Sequence, residues 1–189
     1  MKKDKGSGIL YYIFFLALIG LVCLLASYVI KMKYIGIINE DIQDAVSLSN
    51  LAAAQIDKEI YNRNGTIQVK DFNEAYYAYE EALIDNLNLS MDRKPMNNEY
   101  IQTGIDILEF SVYNVVDLDI TQIRRSLING IAVTETIDWS GQLGELKTPD
   151  GVIITNTTVY SRVGFTLKGF MNDSRYVSKE GCIDIVDQE

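Results

Sequence analysis

Residues 9–30 read ILYYIFFLALIGLVCLLASYVI, a run of 22 residues without a charged residue, proline, asparagine or glutamine. As a helix rising about 1.5 Å per residue, the run would be roughly 33 Å long, enough to cross the roughly 30 Å hydrocarbon core of a bilayer. It is longer than the apolar part of a cleaved secretory signal and does not end in an A-x-A pattern of small residues. It also lacks the polar stripe of a helix on a soluble core. We therefore predict a transmembrane helix over residues 9–30.

The charges on either side of this span predict its orientation. Residues 1–8 form a short leader with three lysines and one aspartate, whereas only Lys31 and Lys33 follow the span before an acidic segment. Positive charge is enriched on the cytoplasmic side of membrane helices, and large domains cross largely regardless of their own charge. We expect a single-pass protein of the cell membrane, with a cytoplasmic N-terminus and an extracytoplasmic C-terminal domain.

Composition beyond Lys33 argues against several kinds of function. Of the 17 basic and 26 acidic residues in the chain, 12 and 25 lie there, so this part carries a net charge near −13. Such a surface repels phosphate backbones, and we predict no nucleic-acid partner. The chain has no histidine, which removes Ser-His-Asp and Cys-His catalysis and the usual zinc sites. Asp117 and Asp119 are better explained as a turn and a helix cap than as calcium ligands. We predict a non-enzymatic protein without cofactor or metal.

The two cysteines do not form a disulfide framework. Cys23 lies inside the span and Cys182 lies near the C-terminus, so the predicted topology keeps them apart. The domain that follows, residues 62–189, is long enough to bury its own core without a disulfide. We interpret Cys182 as a small apolar residue of a late strand.

A second helical pattern follows the span directly. From residue 34 to residue 61, apolar and small side chains recur at alternating spacings of three and four, which is typical of a packing face on a helix. With no proline in between, the simplest arrangement is one helix over residues 9–61, of which residues 31–61 form a juxtamembrane amphipathic helix. Small residues allow another element to approach closely, either the chain's own domain or another subunit. This packing seam consists of Ile38, Ile42, Ala45, Ser49, Ala52 and Ile56.

Residues 62–118 contain clear local signals. Residues 62–65 (NRNG) end the helix, and residues 66–69 are a possible short strand. Asp71 and Glu74 form a capping box that opens a helix reaching Leu87. Residues 90–98 read as a loop, and the β-branched and aromatic residues 104–116 predict a strand.

Residues 119–137 are ambiguous. Asp119 and Gln122 could cap a short helix, whereas Asn129-Gly130 is a favoured turn between two strands. We favour a helix ending at Asn129 and a strand over residues 131–137; on that helix Arg124 and Arg125 form an exposed face rather than an anion site.

The last part of the chain predicts more strands. Residues 138–147 read as a loop and residues 148–151 (TPDG) as a turn. Residues 152–170 predict two paired strands broken near Asn156, and residues 182–186 a possible edge strand. The chain is therefore α+β: a long N-terminal transmembrane helix, a juxtamembrane helix and a small extracytoplasmic domain with an antiparallel sheet.

This plan resembles that of pilins and pseudopilins: a basic leader ending in glycine, an apolar span, an amphipathic helix and a small α+β domain. Residues 41–55 (DIQDAVSLSNLAAAQ) are similar to the D-A-x-x-x-A-x-x-A-A pattern of TadE/TadG-like proteins of tight-adherence pilus systems. The fifth residue after Gly8 is Ile13, where processed prepilins carry glutamate, so the likeness favours an uncleaved TadG-like anchor. It implies a bacterial envelope component for pilus assembly, acting by helix packing in the bilayer and by contacts with other membrane or pilus subunits, copies of itself among them.

A different class of function is also open. The domain could be a membrane-tethered module that binds a ligand or partner outside the cell, which an exposed aromatic groove would favour. The aromatic residues considered for such a groove are Tyr76, Tyr77, Tyr79, Tyr113 and Trp139.

Overall fold

The computed structural model describes residues 7–96, 101–168 and 173–186. The chain divides into two compact units, Met1–Asn39 and Glu40–Glu189. The first helix, α1, runs from Ser7 to Ala53. Every side chain over residues 9–30 is exposed, as expected of an apolar helix whose partner is lipid. By length and composition α1 could cross a membrane, a property that signal sequences share.

The second unit is built on one antiparallel sheet. In the described part of the chain its strand order is β3-β2-β1-β4-β5, so β3 and β5 form the edges. This confirms an α+β domain with an antiparallel sheet. The elements after α1 are α2 (Lys58–Asn64), α3 (Phe72–Asn86), β1 (Asp106–Val116), β2 (Asp119–Ile128), β3 (Ile131–Trp139), β4 (Thr157–Lys168) and β5 (Ser174–Ile185).

One face of the sheet, which we call the helix face, carries α3. Three aromatic rings of α3, those of Phe72, Tyr76 and Tyr79, pack on Phe110 of β1 with centroid distances of 5.5, 5.6 and 5.1 Å. Aromatic pairs at this separation add to the burial of their apolar surface. The part of the predicted capping box that Asp71 supplies is confirmed, because its carboxylate accepts hydrogen bonds from the backbone N–H groups of residues 73 and 74.

The opposite face, which we call the loop face, is covered in part by the loop of residues 140–156. Buried residues of three strands, Tyr113, Ile120 and Tyr160, form a cluster there with Ile154 of the loop. Leu143 and Leu146 pack against the same cluster. Because side chains alternate across a strand, Tyr113 and Phe110 of β1 serve opposite faces, and both faces of the sheet are packed.

The predicted continuous helix over residues 9–61 is wrong at its C-terminal end, because α1 ends at Ala53. Asp57 starts a new helix: its carboxylate accepts hydrogen bonds from the backbone N–H groups of Glu59 and Ile60. Ile56 leaves the helix and forms an isolated bridge with Val69, which is all that remains of the strand predicted at residues 66–69. Gly65 then ends α2 in a left-handed conformation with φ 72°, as the sequence predicts.

The helix predicted from Asp119 to Asn129 is also wrong. These residues form β2, which pairs with β1 on one side and with β3 on the other. Asn129 and Gly130 have φ values of 52° and 79°, as a two-residue type I′ hairpin turn requires. The helical capping signal at Asp119 is overridden by two ladders of backbone hydrogen bonds, one of them to a strand that precedes it in the chain.

The later strands differ from prediction in length. The two strands predicted within residues 152–170 are one, β4; residues 152–156 belong to the loop, with an isolated bridge between Lys147 and Ile153. The turn at residues 148–151 is confirmed by a hydrogen bond from the Gly151 N–H to the Thr148 carbonyl at 2.8 Å. The edge strand predicted at residues 182–186 is the end of β5, which begins at Ser174. Parts of three predicted segments, residues 1–6, 97–98 and 169–170, lie outside the described residues.

Candidate functional site

The packing seam of α1 lies against the chain's own sheet. Ile42, Ala45 and Ser49 are buried, and they share a helical face with Val46 and Asn50. The buried Ser49 hydroxyl donates back to the Ala45 carbonyl at 2.6 Å. The structure thus has the first of the two arrangements left open for the seam, packing within the chain; its use by another subunit stays a prediction.

The other three seam residues differ in their burial and in their position relative to α1. Ile38 is buried, Ala52 is half-buried, and Ile56 lies beyond the end of α1. Including Ile56 in the helical seam is therefore wrong, since Asp57 begins α2. The seam of α1 is shorter than its sequence pattern suggests.

Two polar residues of α1 that apolar periodicity does not reveal hold this contact. The side-chain amide of Gln43 donates to the Glu180 carbonyl at 3.0 Å, and that of Asn50 donates to the Gly181 carbonyl at 2.9 Å. A Cβ atom at Gly181 would lie 3.5 to 3.8 Å from the side chains of Gln43, Val46 and Asn50. These are ordinary van der Waals distances, so α1 lies in contact with β5 and is held there by two side-chain amides that bind successive backbone carbonyls.

The aromatic residues considered for a binding groove are dispersed. Tyr76 and Tyr79 are buried on the helix face, and Tyr77 points outward from α3. Tyr113 and Trp139 lie on the loop face, where the Trp139 indole N–H donates to Gln122 at 3.2 Å and the Gln122 amide donates to the Tyr113 hydroxyl at 3.0 Å. Burial, with a contribution from Glu109, raises the pKa of Tyr113 to about 12, so this phenol is neutral at physiological pH.

A row of charged side chains with alternating sign crosses the loop face in the spatial order of the strands. Arg124 Nε donates to Glu135 at 2.6 Å, and Arg162 Nη2 lies 3.6 Å from the Glu109 carboxylate. Cross-strand pairs of opposite charge stabilise a sheet. At the β5 end, the Tyr160 hydroxyl donates to Glu180 at 2.8 Å. The members, from β3 to β5, are Glu135, Arg124, Glu109, Arg162 and Glu180.

Asp119 anchors the loop that covers this face. Its carboxylate accepts hydrogen bonds from the Ser140 hydroxyl at 2.7 Å and from the Gly141 N–H at 2.9 Å. These two donors lower the pKa of Asp119. Asp117 sits in the turn before β2 with φ 54°, as predicted. Across the described residues no group of three or more side chains is arranged to hold a metal ion.

Comparison with protein-family models, with curated proteins and with solved structures finds no match to this chain. The likeness to TadE/TadG-like proteins therefore depends on residues 41–55 and on the order of the elements, and it stays a prediction.

Proposed function

We propose that this chain is a single-pass, membrane-anchored, extracytoplasmic protein without catalytic activity, acting as a pilus-assembly or pseudopilin-like component. The observation that supports this most is the division of α1. Its residues 9–30 are apolar and exposed on every side, while residues 42–53 are built into the domain. An apolar helix that buries no side chain needs lipid or other apolar helices around it.

The surface available for subunit contacts is not the seam, since the sheet occupies it. On the outward side of α1, Leu48 and Leu51 are more than half exposed. Together with the span, Leu48 and Leu51 offer apolar surface to neighbouring subunits. The exposed Asp44 lies beside them on α1 and marks the edge of this apolar surface. Contacts in an assembly are thus proposed at the span and at this outward side.

Site-specific photocrosslinking in the native membrane tests the assembly. A photoreactive residue at Leu48, 52% exposed, should crosslink to the same chain or to a few defined membrane proteins, and so should one at Leu18 in the span. Val46, two residues away on the same helix and fully buried, is the matched control. If Leu48 and Leu18 yield no more intermolecular product than Val46, the assembly proposal fails.

The orientation has its own test. In a chain with Cys23 and Cys182 replaced by alanine, Met91→Cys places a thiol at a position that is 91% exposed. A membrane-impermeant maleimide should label it in intact cells, while alkaline carbonate should leave the protein in the membrane. Labelling only after lysis would contradict the extracytoplasmic location, and release of a shortened chain into the carbonate supernatant would identify residues 9–30 as a cleaved signal.

A tethered binding module is the second candidate, and the buried seam favours it. An α1 whose packing face is filled by its own domain does not need a partner there. Carbonate-resistant, correctly oriented protein with no crosslinks at Leu48 or Leu18 would support this candidate over assembly.

A further inference from the structure

A small cavity opens on the helix face at one end of the sheet, between α3 and strands β1 to β3. Its volume is about 100 Å³. Two arginines reach it, Arg93 from the loop after α3 and Arg125 from β2, with Ser126 and Asp106 nearby. Its apolar lining consists of Tyr76, Ile107, Leu127 and Ala132.

The two neighbouring arginines of β2 have different surroundings. Because Arg124 and Arg125 are adjacent on a strand, their side chains lie on opposite faces of the sheet. The prediction that they share one exposed face of a helix is therefore wrong. Arg124 pairs with Glu135 on the loop face. On the helix face, the Arg125 guanidinium carbon lies 4.2 Å from the centre of the Tyr76 ring.

Among the residues that the structure describes, Arg125 is the strand arginine that has no carboxylate partner. Arg124, Arg162 and Arg175 each pair with an aspartate or glutamate. No ion pair of Arg125 occurs among the described residues, although acidic residues outnumber basic ones 26 to 17. Stacking on an aromatic ring fixes the plane of a guanidinium and leaves its N–H edge free to bind a planar anion.

The second arginine is partly neutralised. Arg93 Nη1 lies 3.3 Å from the Glu80 carboxylate. Arg93, Glu80 and Arg125 therefore carry one net positive charge before a ligand binds. A single negative charge directed at Arg125 is favoured there, whereas the second charge of a phosphate dianion would be repelled by Glu80.

We propose that this cavity binds a carboxylate at the end of a short aliphatic chain, as carried by a glutamate side chain of a partner or by a free aliphatic acid. The carboxylate takes the free edge of Arg125, with Arg93 as the second cationic group, and the methylene groups contact Ile107, Leu127 and Ala132. A volume of about 100 Å³ admits such a group but not a whole drug-sized ligand, for which pockets are about 300–1,000 Å³. This site is independent of the proposed role in assembly.

Nuclear magnetic resonance of the full-length chain in nanodiscs, with ¹⁵N-labelled arginine, tests the site. Butyrate and N-acetylglutamic acid amide are titrated at constant ionic strength against chloride. We expect the side-chain Nε–H signal of Arg125 to shift saturably with both acids, and Arg125→Gln to weaken the response of Arg93 at least tenfold. Tighter binding of the glutamate derivative would identify a partner's side chain, and equal binding a free acid.

The matched control is Arg124→Gln, which removes the adjacent charge on the other face and should leave the titration unchanged. Ala132→Phe blocks the rim while keeping Arg125, and it should also abolish binding, so the result does not depend on how Arg125→Gln folds. The proposal is overturned if chloride produces the same shifts, if Ala132→Phe titrates like the unmodified chain, or if inorganic phosphate binds more tightly than butyrate.

Discussion

At the scale of single residues, burial decides the chemistry of the one thiol outside the span. Burial, followed by the nearby Asp150 and Asp184, raises the pKa of Cys182 to about 12. Only the thiolate reacts with alkylating reagents. Cys182 lies in β5 and packs against the cluster on the loop face, so we expect its reactivity to report on folding.

We expect iodoacetamide at pH 8 to modify Cys182 at least ~100-fold more slowly in the folded protein than in urea, because an unfolded thiol has a pKa of about 8.5. The measurement uses Cys23→Ala and mass spectrometry. Equal rates of modification in the folded and unfolded states would contradict the prediction.

The raised pKa of Cys182 also predicts how stability depends on pH. The neutral thiol contributes stability below pH about 8.5, and this contribution is lost as pH rises towards 12. Cys182→Ala should remove that part of the alkaline loss of stability.

Glu109 and Arg162 show how burial changes the worth of an ion pair. Glu109 is only 6% exposed, and removing it takes away the carboxylate beside Nη2 of Arg162, a guanidinium whose buried Nε already has no hydrogen-bond partner. We expect Glu109→Ala to lower the free energy of unfolding by about 1–2 kcal/mol, less than for a fully buried pair because the end of Arg162 reaches water. Urea unfolding followed by the fluorescence of Trp139 measures it.

The matched comparison is Asp173→Ala, whose partner Arg175 lies 3.5 Å away with both side chains exposed. Exposed pairs contribute little, so the loss should be below about 0.5 kcal/mol. Equal losses for the two variants would mean that the pair on the loop face is as well solvated as the surface pair.

At the scale of elements, the hairpin between β2 and β3 depends on one turn. Asn129 holds φ 52°, which asparagine and glycine tolerate and β-branched residues do not. We expect Asn129→Val to cost about 1–2 kcal/mol of unfolding free energy and Asn129→Gly to change it by less than about 0.5 kcal/mol. Thermal unfolding by circular dichroism compares them. A valine variant as stable as the glycine variant would argue against the turn.

At the scale of the whole molecule, the part of α1 that belongs to the second unit packs on the sheet. Ala45 is buried and Leu48 is exposed. Substitutions at these two positions therefore distinguish the effect of packing against the sheet from the effect of changing an apolar side chain on the helix surface. We expect Ala45→Leu to lower the free energy of unfolding by about 1–3 kcal/mol through overpacking, and Leu48→Ala to leave it within about 0.5 kcal/mol. An Ala45→Leu variant with unchanged urea unfolding would mean that α1 is not docked there.

Features that depend on a few neighbouring residues follow from the sequence alone. They include the apolar span, the capping of α3 by Asp71, the end of α2 at Gly65 and strand β1. Each rests on periodicity, capping or backbone conformation within a few residues of its own position. The class α+β follows from them.

Tertiary structure decides where local signals compete or where distant segments meet. Asp119 carries a helical cap signal, yet two ladders of hydrogen bonds make its segment a strand. That choice places Arg124 and Arg125 on opposite faces of the sheet and creates the cavity beside Tyr76. Likewise, the spacing of the seam shows a packing face, but only the approach of α1 to Gly181, some 130 residues further along the chain, shows what fills it. Burial and strand pairing depend on residues remote in sequence, and no local pattern contains them.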